Sequence, residues 1–375
     1  MKKLQLLGGL TLLLLLGGCI SVNRPWKTVE KLPLESIQLP EGFRIELFAE
    51  GVVNARSMAW GENGTLFVGT RSEGKVYALE DQNEDGKPDK MHVLASDLVM
   101  PNGVAFYKGD LYIAGVDRVW RMKNIEGKLD DPPALEVVTD AFPNKKWHGW
   151  KYIRFGPDQK LYVPVGAPCN VCEEENPQFA SIMRMNPDGS ELEVFASGIR
   201  NSVGFDWHPE TDELWFTNNG RDMLGDDVPS DELNRAFQKD LHFGFPYCHQ
   251  GDVLDPKFGK EQSCASFEAP VQKLGAHVAA LGMKFYEGAM FPTAYQSSVL
   301  IAEHGSWNKK EPSGYRITRV PLDGNQSQGY EVFAEGWLKD GVAWGRPVDI
   351  LEMRDGSILV SDDHADVIYR ISFNK

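Results

Sequence analysis

The chain has 375 residues, a formal net charge of −15 and 25% charged residues. That charge argues against nucleic acid or an anionic membrane surface as a partner. Beyond the N-terminal segment about 335 residues follow without a low-complexity break, enough for one large domain or two ordinary ones.

The N-terminus reads "MKKLQLLGGLTLLLLLGGC": a lysine pair, a leucine run too short to span a bilayer comfortably, then small residues before Cys19. This is the pattern of an export signal over residues 1–18. The ending "LGGC" looks like a lipoprotein signal, in which Cys19 is lipidated and becomes the new N-terminus; a plain secretory signal with a coincidental cysteine is the alternative. Residues 19–38 carry no periodic pattern and read as a lipidated tether. Residues 39–375 read as the folded domain, exported and held by its lipid on the periplasmic or cell-surface side of a bacterial membrane.

One hairpin pattern then recurs along the chain. It appears as "RSMAWGENGTLFVGT" from Arg56, "NGVAFYKGDLYIAG" from Asn102, "YIRFGPDQKLYVPVG" from Tyr152 and "VGFDWHPETDELWFTNN" from Val203. A looser copy starts at Leu281, and "VDILEMRDGSILVSDD" starts at Val348. Each is strand, polar turn, strand. Further strand candidates lie between them, "KVYALED", "RVWRMK", "SIMRMNPDG", "YRITRVPLDG" and "VIYRISF", and no long stretch has helical periodicity. Six copies, the early ones about 50 residues apart, predict an all-β, six-bladed β-propeller. A β-sandwich would not explain the repetition.

Between the first two copies, "EDQNEDGKPDK" sets Asp81, Asn83, Asp85, Gly86 and Asp89 at the odd-position spacing of a calcium loop, but its twelfth position is His92 rather than a bidentate Glu. A polar turn and a structural ion site both remain open. Cys169, Cys172, Cys248 and Cys264 form an even set in an exported chain, which favours disulfides. In "PCNVCE" Glu173 stands where covalent haem attachment needs His, and the neighbouring carboxylates are poor zinc ligands, so a loop-stapling disulfide is expected.

In a hairpin, the start of the first strand and the end of the second share one end, so equivalent residues of successive blades ring one mouth of the axial channel. Just before the first strands the register places His148 and Gly149, Arg200 and Asn201, and Gly345 and Arg346, with His277 close by in the looser copy. The second-strand exits add Asn218, Asn219 and Gly220, then Glu303 and His304, then Asp362, Asp363 and His364. Two arginines with amide donors suit a planar, multiply anionic ligand. A histidine among them suits a general base. Trp147, Trp150 and Trp307 are placed to stack on a flat cofactor or a sugar ring, with rim packing as the alternative.

"WHGWKYIRFGPDQKLYV", "GIRNSVGFDW", "SDELN" followed by "HFGFP", "EHGSWN" and "GRPVDILEMRDGSILVSDD" resemble the soluble quinoprotein sugar dehydrogenases, and most nearly their sorbosone and pyranose dehydrogenase branch. The resemblance implies a six-bladed propeller holding pyrroloquinoline quinone (PQQ) and a calcium ion at one mouth. It makes His148 the base that takes a hydroxyl proton, Arg200 the arginine at the reactive quinone oxygens, Asn201 a neighbouring cofactor contact and Arg346 the partner of a cofactor carboxylate. Gly220 and Arg221 match residues whose carbonyls hold the calcium, and Asp231 and Glu232 in "SDELN" match the acidic pair that supports this loop or a nearby ion. Three positions depart from the glucose-oxidising branch: Val348 replaces a second arginine, Trp147 replaces an acid, and the cofactor lysine has no clear match. His304, Asn308 or Lys309 stands near that lysine's place, and His277 and His304 are positioned to replace part of the lost binding.

The function this implies is PQQ- and calcium-dependent oxidation of a sugar, sugar aldehyde or related alcohol. Electrons would pass to an external acceptor, a cytochrome or a quinone, because the chain carries no haem motif. Two rival readings use the same fold. A calcium-dependent lactonase would draft Asn102, Asn201 and Asp349 as ion ligands; a non-catalytic binding propeller would need none of them.

Overall fold

The computed structural model describes residues 32–83 and 85–374. Six antiparallel sheets follow one another around a common axis, a six-bladed propeller. The first blade comprises Ala55–Trp60, Leu66–Thr70, Val76–Glu80 and Lys90–Ala95, and the second Gly103–Tyr107, Asp110–Ala114, Val119–Met122 and Glu136–Thr139. The third contains Arg154–Phe155, Leu161–Val165, Ser181–Met185 and Glu193–Ser197, with Leu241–His242 added in parallel at its edge. The fourth runs Phe205–Trp207, Leu214–Asn218, Ser230–Ala236 and Gln272–Ala276. The fifth is built on Ala280–Phe285, Ser298–Glu303, Arg316–Asp323 and Glu331–Glu335.

The sixth blade takes three strands from the C-terminus, Pro347–Glu352, Ile358–Asp362 and Val367–Phe373, and its outer strand from the other end of the chain, Phe43–Glu50. Phe43 faces Phe373 across this join and sits edge-on to Phe291, Tyr295, Phe333 and Phe373. The tether expected over residues 19–38 therefore ends earlier than its sequence implied. Leu32, Leu34 and Ile37 pack on the core under the last two blades, and Gln38 bridges to Glu335, because these apolar side chains cover surface the ring would otherwise expose. The signal, Cys19 and the rest of the tether lie outside the described residues.

The second strand of each blade is buried along nearly all its length because both of its faces are covered by neighbouring blades, as in Leu66–Thr70, Leu161–Val165 and Ile358–Asp362. Phe67 and Ala78 of the first blade meet Val104, Leu111 and Ile113 of the second in one continuous cluster. Each such side chain contributes about 1.5–3 kcal/mol when buried, so the blades stabilise one another through their shared faces. Turn chemistry fixes the hairpins: after Phe155 the chain reverses through Gly156–Gln159, with Gln159 at φ +62° and Asp158 Oδ1 accepting the Lys160 N–H.

The expected staple Cys169–Cys172 is present, and Cys248 pairs with Cys264, with Cα separations of 6.2 and 5.4 Å. "SDELN" forms the first part of the fourth blade's third strand, Ser230–Ala236. In the Asp81–Asp89 turn the carboxylates cap the turn's own amides, Asp81 accepting from Asp85 and Gly86 and Asp89 from Gln82 and Asn83. His92 sits in the following strand against Glu80. Among the described residues no group of three or more His, Cys, Asp or Glu side chains is arranged to hold a metal.

Candidate active site

The strand starts of the third to sixth blades open onto a cavity of about 540 Å³ at one mouth of the axis. His148, Arg200, Asn201, Gly220, Asp231, His277, His304, Asn308 and Arg346 all line it, with Trp147, Trp150 and Trp307. Trp147 and Trp307 are exposed at its rim. Arg221 and Glu232 do not line it. The Arg221 guanidinium turns away to Asp255, 2.5 Å from its Oδ2, and Glu232 is buried beneath, accepting from Asn218 Nδ2 and the Gln250 N–H. Asn218 in turn accepts the Asn201 N–H, so Glu232 supports the cavity from a layer below.

His148 holds φ +51° in the turn that precedes the third blade. The Ala167 carbonyl lies 2.8 Å from Nδ1 and has only lone pairs to offer, so Nδ1 carries the proton and Nε2 is left as the basic nitrogen. Burial, and then the charge of Arg200, pull the His148 pKa down to about 3, so the ring is neutral at pH 7. Close packing sets its place: a Cβ on Gly166 would lie 2.5 Å from the His148 Cβ and 2.8 Å from its carbonyl oxygen.

Arg200 is clamped by protein acceptors on every side. Nε donates to the Asn170 carbonyl at 2.8 Å, Nη1 to the carbonyls of Gly220 and Asn219 at 2.7 and 3.3 Å, and Nη2 to Asn170 Oδ1 and Asp222 Oδ2 at 3.0 and 3.1 Å. A guanidinium has five N–H donors, and all are engaged. Arg200 thus presents its charge to the cavity; a direct bond to a ligand would require releasing one of these contacts.

On the other side, Arg346 donates Nε to the His304 carbonyl and Nη2 to the Gly305 carbonyl, at 2.9 and 2.6 Å, and lies over the Tyr315 ring. Its Nη1 has no protein acceptor among the described residues. Gly305, at φ +102°, has no room for a side chain because a Cβ would lie 2.5 Å from the Tyr315 ring. His304 Nε2 meets Asp363 Oδ1 at 2.7 Å, and Asp363 Oδ2 takes Arg56 Nη1 at 3.0 Å with Arg71 Nη1 at 3.6 Å. Burial pushes the Asp363 carboxyl up, but His304 and the two guanidiniums outweigh it and hold the group well below the usual carboxylate range. His277, at φ +60°, donates Nε2–H to the Gly225 carbonyl at 2.8 Å.

Arg56 and Arg71 come from the first blade and escaped the sequence reading. Two residues inside the mouth, the equivalent first-strand positions are Arg56, Asn102, Lys151, Val203, Leu281 and Val348. Val203, Leu281 and Val348 pack together as an apolar floor. Arg56 Nε donates to Asn102 Oδ1 at 2.7 Å, and Asn102 Nδ2 to the Lys151 carbonyl at 3.0 Å. A second cation is therefore present near the axis, supplied by Arg56 from the first blade and not by position 348 of the last. Of the three lactonase candidates only Asn201 lines the cavity; Asn102 and Asp349 do not, and Asp349 accepts the Met58 and Ile350 N–H groups.

Five cations line the cavity, Arg56, Arg71, Lys146, Arg200 and Arg346, against two carboxylates, Asp222 and Asp231. The buried Asn201 Oδ1, Asn308 Oδ1 and Trp150 Nε1 have no partner, although buried polar atoms in folded proteins are nearly always bonded. These residues fit a planar polyanion such as PQQ. They do not fit a calcium ion held by protein alone. The Gly220 carbonyl already accepts from Arg200, and the Asp231 oxygens accept the Gly220 and Ala280 N–H groups at 2.8 and 3.2 Å.

Among known folds, the chain superposes on a Trichoderma reesei member of Carbohydrate-Active Enzymes Family AA12 with a TM-score of 0.79 at 20% identity, covering 90% of this chain and 98% of that one. The PQQ domain of Coprinopsis cinerea pyranose dehydrogenase, in its holo form, gives 0.78 at 17% identity over 93% and 98% of the two chains. The PQQ-bound aldose sugar dehydrogenase of Streptomyces coelicolor gives 0.65 at 20% identity over 90% and 100%. These likenesses show the six-bladed fold. An uncharacterized protein of Borreliella burgdorferi is 34% identical over 355 residues, 91% of this chain and 92% of that one. The model of DUF7133, a domain of unknown function, matches residues 30–372, and the chain belongs to that family.

Proposed function

We propose that this protein is a quinoprotein dehydrogenase that oxidises a sugar, a sugar aldehyde or a related alcohol with PQQ and passes the electrons to an external carrier. The observation that carries this reading is the mouth itself: five cations and an unprotonated histidine gathered around one cavity in a chain of net charge −15. Two of the solved folds it resembles are described as the PQQ domain of a pyranose dehydrogenase in its holo form and the PQQ-bound form of an aldose sugar dehydrogenase, which supports the same assignment.

When bound, the quinone supplies the hydride acceptor. The chain's own residues do the rest. His148 Nε2 takes the substrate hydroxyl proton, with Nδ1–H anchored on Ala167 so that the ring cannot rotate away. The fixed charge of Arg200 stabilises negative charge as it develops, without reorganising at the moment of reaction. Arg346, through its free Nη1, and Arg71 pair with ligand carboxylates, and Asn201 and Asn308 offer their unpartnered oxygens to ligand donors. Trp147 and Trp307 wall the entrance for a sugar ring. Export and anchoring through a lipid on Cys19 complete the reading and place the enzyme where an external carrier can reach it.

Titrating the purified domain with PQQ by absorbance, while following reduction of an artificial dye by a panel of sugars, tests this directly. Micromolar or tighter binding with sugar-dependent turnover supports it. Absence of binding at micromolar PQQ removes it and leaves a non-catalytic binding propeller.

A further inference from the structure

The residues that hold His148 and Arg200 in place come largely from one short loop after the strand Leu161–Val165. Ala167 takes the His148 Nδ1–H on its carbonyl and donates its own N–H to the Arg200 carbonyl at 2.8 Å. Three residues on, Asn170 accepts Arg200 Nε on its carbonyl and Arg200 Nη2 on Oδ1. The same Oδ1 accepts the Asp222 N–H at 2.8 Å, and Nδ2 donates back to the Asp222 carbonyl at 3.0 Å. Asp222 completes the brace by accepting Arg200 Nη2 and Asn308 Nδ2.

Nothing in the backbone of this loop explains its shape. Among the described residues, 168–172 form no backbone-to-backbone hydrogen bond, and no strand or helix includes them. What closes the loop is the Cys169–Cys172 disulfide, which has Asn170 inside it. The loop also borders a cavity of its own: Ala167 and Cys172 line a space of about 350 Å³ with His242 and Tyr247. The other disulfide differs: Cys248 is buried, its partner lies 16 residues on, and the loop between them makes no hydrogen bond with Arg200 or His148.

We propose that Asn170 is the positioning residue of the candidate active site, that the Cys169–Cys172 disulfide holds it there, and that reduction of this disulfide by a dithiol disengages Arg200 and His148 together. A thiolate of the dithiol attacks one cysteine sulfur and breaks the S–S bond. Its second thiol then displaces the mixed disulfide, leaving two cysteine thiols and the oxidised reagent, a balanced transfer of two electrons and two protons. The second cavity gives the reagent its approach to Cys172. Only the quinone-binding readout of this proposal rests on the dehydrogenase reading.

The test compares the full domain with Asn170→Ala, with Cys169→Ser/Cys172→Ser, and with Cys248→Ser/Cys264→Ser as control. Wild-type protein treated with dithiothreitol provides the same opening without a mutation. Two signals are followed: the 15N resonance and solvent exchange of the Arg200 Nε–H, assigned with Arg200→Lys, and PQQ affinity by absorbance. The expected result is fast exchange of the Arg200 Nε–H in Asn170→Ala, in the Cys169/Cys172 pair and in reduced wild type. PQQ binding should weaken by about 10- to 100-fold in the same samples, the range for losing hydrogen bonds to a charged group. The Cys248/Cys264 pair should lose thermal stability while leaving the Arg200 signal unmoved. A protected Arg200 Nε–H in Asn170→Ala and in reduced wild type overturns the proposal. If wild type fails to bind PQQ, the dehydrogenase reading fails, and the Arg200 resonance still decides the role of the loop.

Discussion

Arg56 Nη1 lies 3.0 Å from Asp363 Oδ2, with 4% and 1% of the two side chains exposed, so a buried ion pair joins the first blade to the last at the mouth. Removing one partner of such a pair leaves the other charge buried and unmatched. Asp363→Ala is expected to cost about 3–5 kcal/mol of stability, measured by urea unfolding. The double change Arg56→Met/Asp363→Leu, which removes both charges, should recover most of it. Equal losses in the single and double variants would mean that the pair is not the tie.

Replacing the base separates chemistry from binding. His148→Ala should lower turnover by about 10²- to 10⁴-fold, the usual contribution of a general base. PQQ affinity should stay within tenfold, because the imidazole is neutral and makes no ion pair. Dye reduction and absorbance titration on the same sample give both numbers. A large loss of affinity with turnover preserved at saturating PQQ would reassign His148 to cofactor binding.

The pH profile follows from the same ring. With its pKa lowered from the ordinary 6.5 to about 3, His148 stays in the basic form as pH falls through 6 and 5 and is lost as a base only on approaching 3. The part of the acid limb of kcat/KM that reports this base should therefore lie below pH 5. The unfolded chain, whose histidine titrates normally, takes up this proton first. The contribution of His148 to stability is complete above pH 6.5 and is lost as pH falls from 6.5 towards 3. Urea midpoints of wild type and His148→Ala between pH 7 and 4.5 should converge as the pH drops.

Gly166→Ala tests the packing behind the base. Its Cβ would enter the space of the His148 Cβ, and relieving that contact should cost about 1–3 kcal/mol. Turnover should fall more than the loss of folded protein explains, because the imidazole is displaced. Wild-type turnover per folded molecule would show that the loop gives way without moving the ring.

Arg346 is expected to be a binding residue with little structural duty, since its protein contacts are two carbonyls and an aromatic face. Arg346→Leu should weaken PQQ by about 10- to 100-fold and reduce the salt dependence of binding. The melting temperature should move by only a few degrees. Unchanged affinity would place the ligand carboxylates elsewhere in the cavity.

The propeller was legible because its information is local and repeated: a strand, a polar turn such as Gly156 to Gln159 and a second strand with an apolar centre recur in the hairpins. His148, Arg200 and Arg346 were legible for a related reason, since one register places them at one mouth. Arg56 was hidden in plain "RSMAW", because its meaning depends on Asp363, more than 300 positions away. The same register read two residues deeper would have found it. Asn170 was invisible for another reason: the loop between Cys169 and Cys172 looked like a staple, and nothing in its sequence shows that Arg200 rests on it. Glu232 was read as supporting the Gly220–Arg221 loop or a nearby ion; here Asn218, Asn234 and the Gln250 N–H satisfy it inside a strand, a set of partners drawn from separate segments that no spacing reveals.

The join between Phe43–Glu50 and Val367–Phe373 also sets the order in which the molecule can mature. The first five blades gather their strands from successive stretches of chain, the third also taking Leu241–His242, but the sixth waits for Val367–Phe373 to meet Phe43–Glu50. That contact spans nearly the whole chain, the most expensive loop to close and the last to form. Until it does, the first blade has no neighbour on one side, and Arg56 has no Asp363. The mouth thus stays electrostatically incomplete until the ring shuts, and a chain truncated at either terminus would lose its ligand site before it lost most of its strands.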